Sequence, residues 1–135
     1  MKTRLIAVVV LSFLLSACVP TIGGSSPDLA KDEFKKGAYA VGFPAVPFYK
    51  NSKVMESYGY QGKFGSVSVT NDEISKVTKF FEESLKPLGW DYSVHQNSAT
   101  SYEYSISNAK QQGSIIINTT VDGKKTGITI SIAPR

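Results

Sequence analysis

The sequence has few of the residue types on which most enzymes and metal sites depend. Its 135 residues include one cysteine, Cys18, and one histidine, His95. A single cysteine cannot form a disulfide within the chain, and one cysteine with one histidine cannot complete a Cys/His zinc site. A Ser-His-Asp triad would have a single candidate base. These shortages favour a binding protein over a catalyst.

The sequence also lacks an apolar run long enough to cross a bilayer. Its longest run, residues 5–15, is interrupted only by Ser12 and is about half of the roughly 20 residues that a spanning helix needs. Lys2 and Arg4 precede the run, and small residues follow it. This arrangement predicts a secretory signal peptide.

The end of this segment identifies the type of signal peptide. Leu15, Ser16, Ala17 and Cys18 are an aliphatic residue, two small residues and a cysteine, a pattern that resembles the lipobox of bacterial lipoprotein precursors. The resemblance implies cleavage before Cys18, a thioether-linked diacylglycerol on its sulfur and an acyl chain on its new amino group. Two or three acyl chains anchor a protein stably in the lipid bilayer, since each buried CH₂ contributes about 0.8 kcal/mol. Beyond these covalent lipids no cofactor is expected.

The residue after the cysteine indicates which membrane carries the protein. In lipoproteins of double-membraned bacteria, aspartate at this position favours retention at the inner membrane. Here the residue is Val19, so the resemblance implies the outer membrane, facing the periplasm; in a single-membraned bacterium it implies the outer leaflet of the plasma membrane. We therefore expect a signal peptide over residues 1–17, an acylated cysteine and tether over residues 18–30, and one domain over residues 31–135.

The charge balance gives no support for nucleic-acid binding. The formal net charge of the whole chain is +4. Maturation removes Lys2 and Arg4, which lowers it to +2. A nucleic-acid-binding domain usually carries a strong basic patch, so no nucleic-acid partner is expected.

Hydrophobic periodicity predicts an α+β domain. Ile74, Val77, Phe81 and Leu85 recur at helical spacing and predict an amphipathic helix over residues 71–86. The order β-β-α-β-β-β-β indicates an antiparallel sheet of about six strands with one helix packed on one face. Alternation of apolar and polar residues places the six strands at residues 53–60, 64–70, 90–95, 102–107, 114–119 and 128–132.

Local signals predict how the helices begin and end. Thr70 and Glu73 have the spacing of a capping box at the start of the long helix. Pro87 and Gly89 end it, with Gly89 in a left-handed conformation. A second, short helix is predicted over residues 28–36.

Residues 47–90 carry a second resemblance. The segment from Pro47 to Val54, the residues Val69 to Asp72 and the pair Gly89-Trp90 resemble a module of small bacterial envelope proteins. In that module a turn of the Pro-x-Tyr-Pro type leads a hairpin, and a helix ending in Leu-x-x-x-Gly-Trp follows. Lys50 stands where the pattern often has proline. The resemblance implies a fold and transfers no catalytic residue.

Aromatic residues supply the candidate binding surface. One helix cannot cover six strands that lie about 4.8 Å apart. Therefore either residues 39–49 cover the rest of the sheet, or the sheet curls on itself, or a groove stays open. The aromatic side chains either pack in the core or form a recognition surface for a glycan, peptide or protein. These residues are Tyr58, Tyr60, Trp90, Tyr92, Tyr102 and Tyr104.

No catalytic residue or metal site emerges from the remaining polar residues. His95 would need a carboxylate such as Asp91 or Glu103 to act as a base, and Glu82 and Glu83 point about 100° apart on a helix. The sequence thus favours a non-enzymatic, membrane-anchored envelope lipoprotein whose domain binds or scaffolds a protein partner. The first alternative is a carrier or sensor of a small apolar ligand or glycan on an aromatic sheet face, and the second is a hydrolase.

Replacement of Cys18 by serine tests the predicted lipid anchor. We expect Cys18→Ser protein to leave the membrane fraction after cell lysis, because serine cannot carry a thioether-linked diacylglycerol. Its thermal unfolding midpoint should match that of the wild type, because Cys18 precedes the predicted domain. Retention of the variant in the membrane fraction would contradict the anchor.

Overall fold

The computed structural model describes residues 33–135, in which seven strands form one antiparallel sheet accompanied by one helix. The predicted α+β class is confirmed. The predicted signal peptide, Cys18 and the tether lie outside the described residues. The strands are β1 (Glu33–Lys36), β2 (Lys53–Tyr60), β3 (Lys63–Thr70), β4 (Asp91–Ser98), β5 (Ser101–Ser107), β6 (Gln111–Thr119) and β7 (Thr126–Pro134); helix α1 is Ile74–Ser84, followed by a 3₁₀ turn at Lys86–Leu88.

The strands lie in the order β1-β2-β3-β7-β6-β5-β4, and every neighbouring pair is antiparallel. The last strand in the chain, β7, therefore lies at the centre, between β3 and β6. The hairpin of β2 and β3 and the meander of β4 to β7 meet along the β3–β7 pair. Strands β1 and β4 form the two edges of the sheet.

The strand β1 corrects, at residues 33–36, the prediction of a short helix over residues 28–36. The first five residues of that predicted helix lie outside the described residues. Residues 33–36 pair with Glu56 to Gly59 of β2, and Phe34, opposite Tyr58, is 59% exposed. Phe34 is the only large apolar side chain in this strand, so a helix would have little to bury there. The edge of β2 instead offers unpaired backbone groups, and pairing satisfies them. The sheet consequently has seven strands where six were predicted.

Helix α1 begins later than predicted and without the capping box. Glu73 occupies the N-cap position but its side chain makes no capping hydrogen bond. Thr70 Oγ1 accepts a hydrogen bond from the N–H of Asp72 at 3.2 Å. Thr70 ends β3 and pairs with Thr126 of β7, so it belongs to the sheet and is not free to cap the helix.

The apolar stripe and the end of α1 agree with the sequence analysis. Val77, Phe81 and Leu85 are fully buried. Gly89 follows the 3₁₀ turn with φ of 83°, the left-handed conformation predicted for it. Leu88, which continues the stripe in the sequence, is 53% exposed because the α-helix has ended before it.

The helix packs on one face of the sheet, here called the inner face. Cross-strand partners on this face include Tyr104, Ile115 and Ile130 in three adjacent strands. Their burial against α1 forms the core of the domain. The large sheet residues that are fully or nearly fully buried are Tyr104, Ile106, Ile115, Ile117, Ile128, Ile130 and Ile132.

Residues 39–49 cover the rest of the inner face, as one of the three predicted arrangements requires. Trp90 Nε1 donates a hydrogen bond to the carbonyl oxygen of Ala45 at 2.9 Å. The N–H of Ala40 donates to Oγ of the fully buried Ser57 at 2.7 Å. The rings of Phe43 and Phe64 meet edge to face, with centroids 5.6 Å apart. Both apolar packing and buried hydrogen bonds thus hold this covering segment.

Asp72 joins the covering segment to the start of α1. Its Oδ2 accepts hydrogen bonds from Tyr49 Oη at 2.7 Å and Asn51 Nδ2 at 3.0 Å. Its backbone carbonyl accepts a hydrogen bond from Thr126 Oγ1 at 2.8 Å. The bonds from Asn51 and Tyr49, with the charge of nearby Lys76, hold the pKa of Asp72 below its usual value.

Truncation of Trp90 should cost much of the stability of the domain. The side chain is 2% exposed, so we expect Trp90→Ala to lower the free energy of unfolding by about 3–5 kcal/mol in urea denaturation. Leu88→Ala, at an exposed position in the adjacent turn, is the matched control and should change it by less than about 1 kcal/mol. An unchanged midpoint for Trp90→Ala would show that this residue is not part of the core.

Replacement of Asp72 should remove an acid-sensitive contribution to stability. Because the pKa of Asp72 is lower in the folded state, the ionised carboxylate stabilises the fold above its unfolded pKa of about 4 and this contribution is lost as the pH falls through the folded value. The stability gap between wild type and Asp72→Asn should therefore be largest at neutral pH and close in acid. Urea titrations at several pH values measure it, with the exposed Glu83→Gln as control. A gap independent of pH would contradict this role.

Candidate binding site on the open face of the sheet

The six predicted aromatic residues do not form one surface. Trp90 and Tyr104 are buried in the core, with 2% and 0% of their surface exposed. Tyr92 and Tyr102 are partly buried and pack against the same core. The remaining two, Tyr58 and Tyr60, are each 47% exposed and lie on the opposite face of the sheet. This correction follows from strand alternation, since Ser57 and Gly59 occupy the inner face of β2.

The hydroxyl groups of the inner aromatic residues reach the margin of the core. Tyr104 Oη donates to Glu82 Oε1 at 3.2 Å, and Tyr92 Oη lies 3.5 Å from the carbonyl oxygen of Glu82. Burial raises the pKa of Tyr104, and the negative charge of Glu82 raises it further. Tyr102 Oη accepts a hydrogen bond from Gln96 Nε2 at 3.0 Å. These rings therefore build the core and satisfy their polar ends at its edge.

The face opposite α1, here called the outer face, carries a row of small residues that the sequence analysis missed. Four serines on four adjacent strands are direct cross-strand partners of one another. Three inter-strand steps make the serine row roughly 14 Å long, and the same line of partners continues into β3 and β2. From β4 to β2 its members are Ser93, Ser105, Ser114, Ser131, Gly65 and Tyr58.

The ring of Tyr58 lies over Gly65 at one end of the row. A Cβ atom at Gly65 would collide with Cζ, Cε1 and Oη of Tyr58. The ring therefore occupies the space that any other residue at position 65 would fill. Tyr58 forms an aromatic wall beside the serine row, and its position depends on glycine at its cross-strand partner.

The serine row forms the floor of an open groove of about 780 Å³. Tyr58 of β2 and Asp91 of β4 both line it, although these strands lie near opposite edges of the sheet. The outer face is therefore concave. At Gly113, β6 approaches β7 so closely that a Cβ atom would collide with the carbonyl oxygen of Ser131. A side chain at position 113 would therefore require these two strands to shift.

Charged side chains lie at both ends of the groove. Lys63 and Arg135 line one end and Asp91 lies on the β4 side. Arg135 Nη1 donates to the carbonyl oxygen of Asn108 at 3.4 Å. Among residues 33–135, neither Lys63 nor Arg135 has a carboxylate within 4 Å.

The other predicted chemical groups lie outside the groove. His95 faces Glu103 across the β4–β5 pair, and neither residue lines the groove. Within residues 33–135 no three histidine, cysteine, aspartate or glutamate side chains are grouped so that they could hold a metal ion. In the same part of the chain, no helix is long and apolar enough to cross a membrane.

The floor of the groove is defined by polar groups that can both donate and accept hydrogen bonds. The signal available in the sequence was the alternation of serine with Tyr104 and Ile106 in β5, and with Ile130 and Ile132 in β7. That alternation shows two faces per strand. Only the register of β4 to β7 shows that the serines are direct neighbours.

Comparison of the chain with protein-family models, with curated proteins and with solved structures found no match.

Proposed function

We propose that this chain is a lipid-anchored protein of the bacterial cell envelope that binds a glycan in the groove of its outer sheet face. The lipobox resemblance at Leu15 to Cys18 supports the anchor. The observation that carries the binding function is the row of serine hydroxyls in the floor of an open groove, with the ring of Tyr58 at its end.

The polarity of the floor favours a ligand rich in hydrogen-bonding groups. An apolar ligand would cover the serine hydroxyls without replacing their hydrogen bonds to water. Each buried hydroxyl left without a partner costs about 1–3 kcal/mol. A ligand with hydroxyl groups of its own avoids that cost, because serine can donate to it or accept from it.

The backbone of the groove gives a second argument for a glycan. Of the six strands that line the groove, only β4 has a free edge, and β2, β3, β5, β6 and β7 are paired on both sides. Their N–H and C=O groups are therefore unavailable to an extended peptide, which binds a sheet by adding a strand at a free edge. The side chains of these strands remain available, among them the serine hydroxyls and the face of Tyr58. A sugar ring matches both, with hydroxyl groups at its rim and C–H groups on its face.

The predicted anchor keeps such a site close to the membrane. Fifteen residue steps separate Cys18 from Glu33, the first described residue, and they span at most roughly 50 Å. Acylation of Cys18 would thus restrict the groove to the glycans that lie near the bilayer surface.

The edge strand β4 favours a second candidate function, the scaffolding of a protein partner. Seven of its eight residues are exposed, and the strand contains neither lysine nor proline, which commonly protect edge strands. An extended segment of another protein can pair with such an edge. This function uses the backbone edge of β4. Ser105, Ser114 and Ser131 of the serine row lie on other strands, so contacts at these three serines distinguish glycan binding from strand addition.

A bulky residue in the serine row should block glycan binding without loss of the fold. We expect Ser105→Phe to lose about tenfold or more in affinity for the oligosaccharides that bind the wild-type full chain on a glycan array, because Ser105 is exposed within the groove. Asn118→Phe is the matched control, since Asn118 lies exposed on the outer face of β6 outside the groove. Aromatic residues suit strands, so both variants should keep their unfolding midpoints.

Gly65→Ala adds a test of Tyr58 without changing that residue. The new Cβ would displace the Tyr58 ring, which is half-exposed and free to turn away. The affinity of Gly65→Ala for the oligosaccharides that bind the wild type should therefore fall. Tyr58→Ala should show a similar loss of affinity. Failure of the wild-type chain to bind any glycan, or equal binding by Ser105→Phe and Asn118→Phe, would contradict the proposed function.

A further inference from the structure

The two basic residues of the groove lie close together at the end that holds Tyr58. Lys63 is two residues before Gly65 on β3, so the two lie on the same face roughly 7 Å apart. Phe64 pairs with Ile132, which places Lys63 beside Ala133 of β7. Arg135 is two residues beyond Ala133 on the same face. This geometry puts the backbones of Lys63 and Arg135 roughly 8 Å apart.

The two cations are available to a ligand. Within residues 33–135 neither has a carboxylate partner within 4 Å. The hydrogen bond from Arg135 Nη1 to Asn108 uses one of the five N–H groups of the guanidinium. The backbone N–H of Arg135 donates to the carbonyl oxygen of Lys110 at 3.0 Å, which holds the residue against the turn between β5 and β6. Arg135 is thus held by two hydrogen bonds, and its guanidinium group retains N–H donors that can bind a ligand.

The opposite end of the same line of residues is acidic. Asp91 pairs with Ser107, Ser107 with Gln112 and Gln112 with Ala133, which neighbours Lys63. Four inter-strand steps place Asp91 roughly 19 Å from Lys63 along this line. An anionic group on a ligand is attracted to the Lys63 end and repelled from the Asp91 end. The charges therefore fix one orientation of an acidic ligand.

We propose that the groove binds an acidic glycan, an inference that rests on the proposed function. Lys63 and Arg135 bind a carboxylate of this glycan, and the adjoining sugar ring lies against Tyr58. Arginine binds carboxylates through two parallel hydrogen bonds, and lysine adds a positive charge from the side. The serine row then binds the hydroxyl groups of the following sugars. The proximity of two cations to the ring of Tyr58 at one end of the groove favours this ligand over a neutral glycan.

A pair of oligosaccharides that differ only in charge tests the inference. Tetragalacturonate carries a carboxylate on each sugar, and its methyl ester has the same sugars without the charge. In isothermal titration with the full chain at low salt, we expect the acid to bind about tenfold more tightly than the ester, an advantage that added salt reduces. The double variant Lys63→Gln/Arg135→Gln should bind both with equal affinity. Lys79→Gln, on the exposed face of α1, should keep the preference.

The outcomes separate this inference from the proposed function. Equal affinity of the wild type for acid and ester, with both lost in Tyr58→Ala, would overturn the acidic ligand and leave glycan binding intact. An acid preference that persists in the double variant would also overturn the role of Lys63 and Arg135. If the wild type binds neither tetragalacturonate nor its ester but binds neutral oligosaccharides on the array, the acidic-ligand inference is overturned and the proposed function is not. Absence of binding to every glycan overturns both.

Discussion

The architecture of this protein depends on one constraint: within residues 33–135, everything that covers the sheet lies on one face. Helix α1 has 11 residues and is roughly 16 Å long, too short to cover seven strands. Residues 39–49 cover the remainder, and the hydrogen bond from Trp90 Nε1 to Ala45 ties them to the core. Tyr49 and Asn51 continue this attachment to Asp72 at the start of α1. Both covering elements lie on the inner face, and no other part of the described chain covers the outer face.

The open outer face explains the residues found there. A solvated sheet face cannot carry a continuous apolar surface without promoting association, and the serine row meets this requirement with small side chains. Serine is not among the residues enriched in strands, so the row does not serve strand stability. Its small size leaves space above the floor of the groove. The covering elements bury Trp90 on the inner face, and the outer face is thereby left available as the candidate binding site.

Much of the local structure could be predicted from the sequence, because local structure follows from periodicity and turn residues. The stripe of Val77, Phe81 and Leu85 predicted α1, and the hairpin of β2 and β3 turns at Gln61 and Gly62 with φ of 48° and 77°. The strand β1 was not predictable, since its four residues depend on pairing with β2. The capping-box prediction was wrong because it also depended on a long-range contact: Thr70 pairs with Thr126 of β7.

The position of the candidate site was beyond prediction from periodicity alone. Alternation shows that Tyr58 and Ser57 face opposite ways, but it does not show which of them faces the helix. Tyr58 and Tyr104 therefore looked alike in the sequence, although one lines the groove and the other is buried in the core. The serine row likewise depends on the register of four strands and on the central position of β7. Long-range strand pairing determines both the face on which Tyr58 lies and the alignment of the serines. No local sequence pattern encodes that pairing.

The central claim is that the outer face binds ligand while the inner face is structural. The most direct measurement is a map of backbone amide chemical shifts of the full chain during titration with an oligosaccharide that it binds. The account predicts that the largest changes fall on Ser93, Ser105, Ser114 and Ser131, with the amides of α1 and of residues 39–49 nearly unchanged. Changes concentrated in α1 or in the covering segment, with the serine row unaffected, would contradict it.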